Sequence, residues 1–121
     1  MVRTANSTSD YYNILSRHSL VLVAFLDNSE ESRRFEQVLE RLDRELRWVN
    51  SPAELVKVYS DKCKDLFLRE KVDSTPYVKV YLEGKVIFEQ RGSLGDVYKD
   101  VYILRRGVRD TLRRYGKRIR F

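Results

Sequence analysis

The sequence predicts an α/β fold, a three-layer sandwich in which four helices flank a central mixed sheet of four or five strands. Apolar runs of strand length alternate with segments of 3.6-residue periodicity, which is typical of strands connected by crossover helices. Near the C-terminal end, two such runs are joined only by Glu83-Gly84, which indicates an antiparallel hairpin. At 121 residues, the chain suits one domain with its own core.

Helices and strands alternate through the first half of the chain. Residues 1–8 are small and polar, and we expect a flexible N-terminus or a short edge strand there. Ser9-Asp10 can cap a first helix, and the run LVLVAFLD reads as a buried strand that leads directly into an amphipathic helix. The predicted elements are a helix at 9–17, a strand at 20–27 and a helix at 29–47.

The second half adds the remaining strands and the last helix. Pro52 follows the end of the long helix, and Gly92 and Gly95 interrupt the pattern before the final one. The predicted elements are a strand at 55–59, a short helix at 61–71, strands at 77–82 and 85–90, and a helix at 96–115 that buries Tyr115. We therefore expect one domain over residues 9–115 and a basic C-terminal tail at 116–121.

Composition limits the classes of function. The single cysteine excludes an intramolecular disulfide, and one His with one Cys argues against a zinc site, so we expect no metal and no cofactor. No apolar run is long enough to span a membrane and no signal-peptide pattern is present, so a soluble, cytoplasmic protein is expected. The 16 Arg and 8 Lys are compatible with a protein from a hot environment.

Positive charge is concentrated at the C-terminal end of the chain. Of the net charge of +6, residues 1–60 contribute −1 (8 basic, 9 acidic) and residues 61–121 contribute +7 (16 basic, 9 acidic). An exposed basic face that attracts polyanions, including nucleic acid, is one hypothesis, although the aromatic residues do not look interleaved with the basic ones. The residues of this basic patch are Arg105, Arg106, Arg109, Arg113, Arg114, Lys117, Arg118 and Arg120.

Several segments between residues 9 and 115 resemble the thioredoxin family. The strand at 20–25 is similar to the one that precedes the family's Trp-Cys-Gly-Pro-Cys motif. Residues 72–77 (VDSTPY), followed by two strands around a Glu-Gly-Lys turn, resemble the segment that carries the family's cis-proline, and Gly92 matches a glycine before its last helix. The resemblance implies a thioredoxin-like sandwich with Pro76 in the cis form.

The active-site motif of that family is replaced in this chain. The resemblance places Ser29 and Ser32 where the family has its two cysteines, and Asn28 where it has tryptophan. Thiol–disulfide exchange requires an attacking thiolate and a resolving thiol, neither of which a hydroxyl can supply. Ser29-Glu30-Glu31-Ser32 is also explained as a helix start, with Asn28 or Ser29 as the cap and Asn28 and Glu31 spaced as a capping box.

The resemblance also implies a groove between the start of this helix and the cis-proline segment. We expect a redox-inactive protein that binds a partner protein there, with no catalytic residue, since no base is placed to activate either serine. Oligomeric state and partner identity stay open. The groove residues are Asn28, Ser29, Glu30, Ser32, Thr75, Pro76, Tyr77 and Gly92.

Two alternatives remain from the sequence. One is a nucleic-acid-associated protein that binds through the basic C-terminal helix. The other is a thiol–disulfide oxidoreductase, either one whose cysteines are replaced by Ser29 and Ser32 or a one-cysteine enzyme. Cys63 is the candidate reactive thiol, because Lys62 and Lys64 would favour its thiolate if it lay exposed on the surface of the short helix.

Overall fold

A computed structural model describes all 121 residues and contains five strands and four helices. It confirms the predicted α/β sandwich, with element boundaries that mostly differ by a few residues. The strands are β1 (Arg3–Thr4), β2 (Leu20–Leu26), β3 (Glu54–Tyr59), β4 (Tyr77–Leu82) and β5 (Lys85–Arg91), and the helices are α1 (Thr8–Arg17), α2 (Glu30–Trp48), α3 (Lys64–Arg69) and α4 (Val97–Arg114).

The five strands form one mixed sheet in the order β1-β3-β2-β4-β5. β3 runs parallel to β1 and β2, while β4 is antiparallel to both β2 and β5. Phe25 pairs with Tyr77, and Tyr77 pairs with Arg91. The end of β2, the start of β4 and the end of β5 therefore lie side by side at one end of the sheet.

The central strand β2 is buried on both faces, which explains its unbroken run of apolar residues. Leu22 and Leu26 pack on the face covered by α2 and α4, and Val23 and Phe25 pack on the face covered by α1 and α3. Apolar side chains of α2 and α4 complete the larger core, where Leu42 is fully buried. This two-sided burial holds the end of β2 rigidly in place.

Three local predictions need correction. Helix α1 is capped by Ser7, whose side chain accepts a hydrogen bond from the N–H of Asp10, so the helix begins at Thr8 rather than after Ser9-Asp10. Helix α3 is shorter than predicted, because residues 60–62 form a turn and Cys63 is its N-cap. Tyr115 is 55% exposed instead of buried, since it follows the last turn of α4.

The C-terminal residues, predicted as a tail, return to the core. Phe121 is 4% exposed and belongs to the core beneath α2 and α4, and Ile119 packs against it. The guanidinium groups of Arg105 and Arg109 donate hydrogen bonds to the main-chain oxygen of Phe121, at 3.2 Å from Arg105 Nη2 and 3.0 Å from Arg109 Nη2. Residues 116–121 thus pack on the domain and are part of its structure.

Candidate binding groove at the start of helix α2

Three chain segments meet at the end of the sheet described above. They are the β2–α2 junction at 27–32, the segment 74–76 before β4, and Gly92 after β5. The Thr75–Pro76 peptide bond is cis, the conformation that the resemblance implies. The N–H of Gly92 donates a hydrogen bond to the carbonyl of Pro76 at 2.8 Å, which joins the last two segments. We call this meeting point the α2 groove.

Both serines at the start of α2 accept hydrogen bonds from the backbone. Ser29 is the N-cap, and its Oγ accepts from the N–H of Ser32 at 3.1 Å. Ser32 is only 1% exposed, and its Oγ accepts from the N–H of Asp27 at 3.1 Å. The Ser29 hydroxyl therefore satisfies a donor of the first helical turn, and the Ser32 hydroxyl satisfies the N–H that follows the end of β2.

Asn28 does not cap the helix, and the predicted capping box is wrong. Ser29 takes the cap position, and the Glu31 carboxylate instead accepts a hydrogen bond from the hydroxyl of Ser93, at 3.4 Å. Glu30 stays exposed in the first turn, where a carboxylate complements the positive end of the helix dipole. The Glu31–Ser93 contact links the start of α2 to the segment after β5.

Asp27 is a groove residue that the sequence analysis missed. Its Oδ1 accepts a hydrogen bond from the N–H of Ser29 at 2.9 Å. Hydrogen bonding to the hydroxyls of Ser29 and then Thr75 holds the pKa of this carboxyl well below its ordinary value. Because Thr75 belongs to the cis-proline segment, the pKa of Asp27 is lowered from both sides of the groove.

Thr75 presents an unpaired stretch of backbone. Neither its N–H nor its C=O hydrogen-bonds to another backbone group, whereas the next residues enter the regular ladder of β4. The ring of Tyr77 is engaged within the hairpin: its hydroxyl donates to Glu89 at 2.7 Å, and the Arg91 guanidinium lies 5.5 Å from the ring centre. The groove therefore offers the N–H and C=O of Thr75 as hydrogen-bonding groups that have no backbone partner.

Cys63 is not one of the predicted groove residues and is inaccessible. It is 1% exposed in the core between α1, α3 and the sheet, and its Sγ lies 3.9 Å from the carbonyl oxygen of Ala5. Burial, followed by the nearby carboxylates of Asp65, Asp10 and Asp61, raises the pKa of the thiol. The prediction of a surface position is wrong, because the lysines beside Cys63 flank a side chain that turns inward.

The basic patch is divided by its contacts. Arg105 and Arg109 are half-buried and hold Phe121, and Arg105 also pairs with Glu45 at 2.8 Å. The other six basic residues predicted for this patch are exposed: Arg106, Arg113, Arg114, Lys117, Arg118 and Arg120.

A second polar cluster, on the face covered by α1 and α3, was not predicted. Glu70 accepts hydrogen bonds from the Tyr81 hydroxyl at 2.7 Å, the Tyr12 hydroxyl at 2.9 Å and Lys79 Nζ at 3.3 Å, and the Tyr81 hydroxyl accepts one from Tyr11. Burial raises the pKa of Glu70, but the two hydroxyls and the ammonium outweigh it, and the net shift is downward. The signal in the sequence was Lys79, a lysine inside an apolar strand, which requires a buried partner.

No group of three or more His, Cys, Asp or Glu side chains is arranged to hold a metal ion. None of the helices combines the length and the apolar character that crossing a membrane requires.

Comparison with solved structures identifies the architecture. No protein-family model and no curated protein sequence matches the chain. Thioredoxin from Trypanosoma brucei brucei superposes with a TM-score of 0.77 at 19% identity, over 93% of this chain and 92% of the other. The chain has the thioredoxin fold. Oxidised thioredoxin 3 from Saccharomyces cerevisiae mitochondria gives 0.74 at 14% identity, over 90% and 94%. Oxidised Plasmodium falciparum thioredoxin gives 0.71 at 19%, over 97% and 100%.

The thioredoxin fold accounts for the position of the groove in this chain. The strand order and the β2–β4–β5 register bring the start of α2, the cis-Pro76 segment and Gly92 to one end of the sheet. At these identities, the likeness concerns the fold alone.

Proposed function

We propose that this thioredoxin-fold domain is a redox-inactive binding module that holds an extended segment of a partner protein in the α2 groove. One observation carries the proposal. The hydroxyls of Ser29 and Ser32 already accept hydrogen bonds from the backbone, whereas the backbone N–H and C=O of Thr75 have no backbone partner. A peptide that runs antiparallel or parallel to Thr75 would satisfy its N–H and C=O, as in recognition by strand addition.

The charge around the groove favours a neutral or basic segment. Asp27, Glu30 and Glu31 lie at the start of α2, and Asp73 lies in the loop before the cis-proline segment. Asp73 is paired with Arg91 at 3.3 Å, which leaves the three carboxylates of the helix start as the acidic rim. Acidic segments would be repelled from this rim, so charge gives the groove selectivity as well as attraction.

A disulfide-exchange reaction has no nucleophile in the groove. Ser29 and Ser32 carry hydroxyls, and Cys63 is buried in the other core. In an insulin-reduction assay with dithiothreitol, the wild-type chain is expected to give the rate of dithiothreitol alone. The double variant Ser29→Cys/Ser32→Cys tests the oxidoreductase alternative, because it restores the dithiol at the position that the resemblance assigns to it. Turnover by the wild type would refute redox inactivity.

Binding is tested by selecting peptides from a random display library and comparing two matched glycine variants. Gly92 and Gly84 both have positive φ values, +78° and +81°, and an added Cβ meets no atom within 4 Å at either site. Gly92→Asn places a side chain beside Pro76, whereas Gly84→Asn places the same one in the distant β4–β5 turn. Selected peptides should lose at least about tenfold in affinity, roughly 1.4 kcal/mol, only with Gly92→Asn. Equal loss with both variants would contradict the assignment of the groove.

A further inference from the structure

A cavity of about 620 Å³ lies between α2 and α4, and arginines dominate its lining. Arg41 comes from α2, and the others lie on successive turns of α4. We call this cavity the arginine groove. Its arginines are Arg41, Arg105, Arg106, Arg109 and Arg113.

Two exposed tyrosines line the same groove. Tyr98 and Tyr102 lie one helical turn apart on α4 and are 66% and 59% exposed. The Arg41 guanidinium lies 4.2 Å from the centre of the Tyr98 ring, and Arg106 Nη1 donates a hydrogen bond to the Tyr102 hydroxyl at 3.1 Å. The prediction that aromatic and basic residues are not interleaved is therefore wrong, because the helical period of α4 brings them to one face.

The positive charge of the groove is only partly neutralised. Its two acidic residues are Glu45, which lies 3.1 Å from Arg41 and 2.8 Å from Arg105, and Asp110, which lies 3.7 Å from Arg113. Five arginines against two carboxylates leave an excess of three positive charges. Arg106 pairs with no carboxylate, so it is available to an anionic ligand.

The basic surface extends beyond one small-molecule site. Arg105, Arg109 and Arg113 also line an adjoining cavity of about 360 Å³, which continues to Lys117, Arg118 and Arg120. From Tyr98 to Arg113 the track measures about 22 Å along α4 at 1.5 Å per residue. An elongated track of cations with ring faces at one end matches a polymer of phosphates and bases better than a single anion.

We propose that the arginine groove binds single-stranded nucleic acid. Tyr98 and Tyr102 stack on unpaired bases, and Arg106 and Arg113 contact the phosphates. In a duplex the base faces are already stacked, and an acidic peptide offers no flat rings, so the exposed tyrosines favour a single strand. Arg41 lies about 18 Å along α2 from Ser29, so this site is separate from the α2 groove and its function does not depend on the one proposed there.

The test is fluorescence anisotropy with a labelled oligothymidylate at several salt concentrations. Tyr98→Leu and Tyr102→Leu keep apolar bulk but remove the ring, and each should weaken binding by roughly 5- to 150-fold. Tyr102→Phe keeps the ring and should bind within about twofold of the wild type, because stacking needs no hydroxyl. Arg106→Gln should reduce the slope of log affinity against log salt by about 0.7.

Two controls separate this proposal from simple charge attraction. Arg17→Gln removes the same charge from an exposed position on α1, across the sheet, and should leave affinity and salt slope unchanged. Gly92→Asn should also leave them unchanged. Absence of binding at low salt, equal or tighter binding of a matched duplex or of polyglutamate, or unaltered binding by both leucine variants would overturn the proposal. Circular dichroism of each variant verifies that the fold is intact.

Discussion

The Oγ of Ser29 accepts a hydrogen bond from the N–H of Ser32 at 3.1 Å, and the Oγ of Ser32 accepts one from the N–H of Asp27 at the same distance. The two hydroxyls therefore act as acceptors that stabilise the strand-to-helix junction. Their role explains why the chain keeps small polar residues where the thioredoxin resemblance places cysteines. The site has a stable geometry without any thiol chemistry.

Replacing Ser32 should destabilise the fold. Ser32→Ala leaves the partly buried N–H of Asp27 without its partner, which should cost about 1–3 kcal/mol. Ser29→Ala removes the N-cap and should cost about 1 kcal/mol. Urea unfolding followed by circular dichroism measures both. Ser16→Ala, at an exposed position on α1, is the matched control and should stay within about 0.5 kcal/mol of the wild type. An equal change in the free energy of unfolding for all three variants would contradict the roles assigned to Ser29 and Ser32.

The carboxyl of Asp27 should titrate below the ordinary aspartate pKa of about 3.9. Its folded-state pKa is lowered by the hydroxyls of Ser29 and Thr75, so it stabilises the fold above the unfolded-state pKa. That contribution is lost as the pH falls through the lower, folded-state pKa. Carboxyl NMR shifts measured against pH give the midpoint directly.

Thr75→Val and Ser29→Ala test the cause of this shift. Each should raise the midpoint of the Asp27 carboxyl, Ser29→Ala more than Thr75→Val, because the Ser29 hydroxyl is the larger influence. Unchanged titration midpoints in both variants would show that these hydroxyls do not lower the pKa of the Asp27 carboxyl.

Removing the Tyr81 hydroxyl should disturb the cluster on the α1 and α3 face. Tyr81 is 4% exposed and donates to Glu70 at 2.7 Å, while Tyr11 donates to Tyr81. Tyr81→Phe leaves the Tyr11 hydroxyl without its acceptor and removes one of the three donors to Glu70, at a cost of about 1–3 kcal/mol. Tyr98→Phe, at an exposed tyrosine, should change the free energy of unfolding by less than about 0.5 kcal/mol. Similar values for the two variants would refute the cluster's contribution.

Phe121 should contribute to stability as a core residue. Phe121→Ala removes a side chain that is 4% exposed and should cost about 3 kcal/mol, the lower end for buried phenylalanine. Trp48→Ala, at a residue that is 88% exposed, is the control and should have little effect. This result also bears on nucleic-acid binding, since deleting the basic C-terminal residues would damage the core as well as remove charge. Point substitutions in the arginine groove avoid that ambiguity.

The sequence predicted the fold because its signals are local and repeated. Each of three signals specifies one element: the apolar run of β2, the apolar face of α2 and the Glu83-Gly84 turn. The order of these elements along the chain allows only a few topologies. Boundaries were less certain where two capping residues compete, as Ser7 and Ser9 do at α1. Cys63 was misplaced because its charged neighbours suggested an exposed helix, whereas the structure makes it an inward-facing N-cap.

The groove was predicted from the resemblance, but its hydrogen bonds were not. Asp27 follows β2 in the sequence, yet the influence of Thr75 on its pKa depends on the β2–β4 register, which no local pattern encodes. The pairing of Tyr98 with Arg41 likewise depends on how α4 packs against α2. Such contacts join residues far apart in the chain, and they require the folded structure.

A partner segment is expected to bind through the free backbone of Thr75. Amide hydrogen exchange by NMR tests it most directly, on the wild type with and without a peptide from the display selection. We expect that the Thr75 amide, which has no backbone partner in the free protein, becomes protected when the peptide binds, while Val23 in the central strand is unchanged. A bound peptide that leaves Thr75 unprotected, or protects residues only outside the α2 groove, would contradict it.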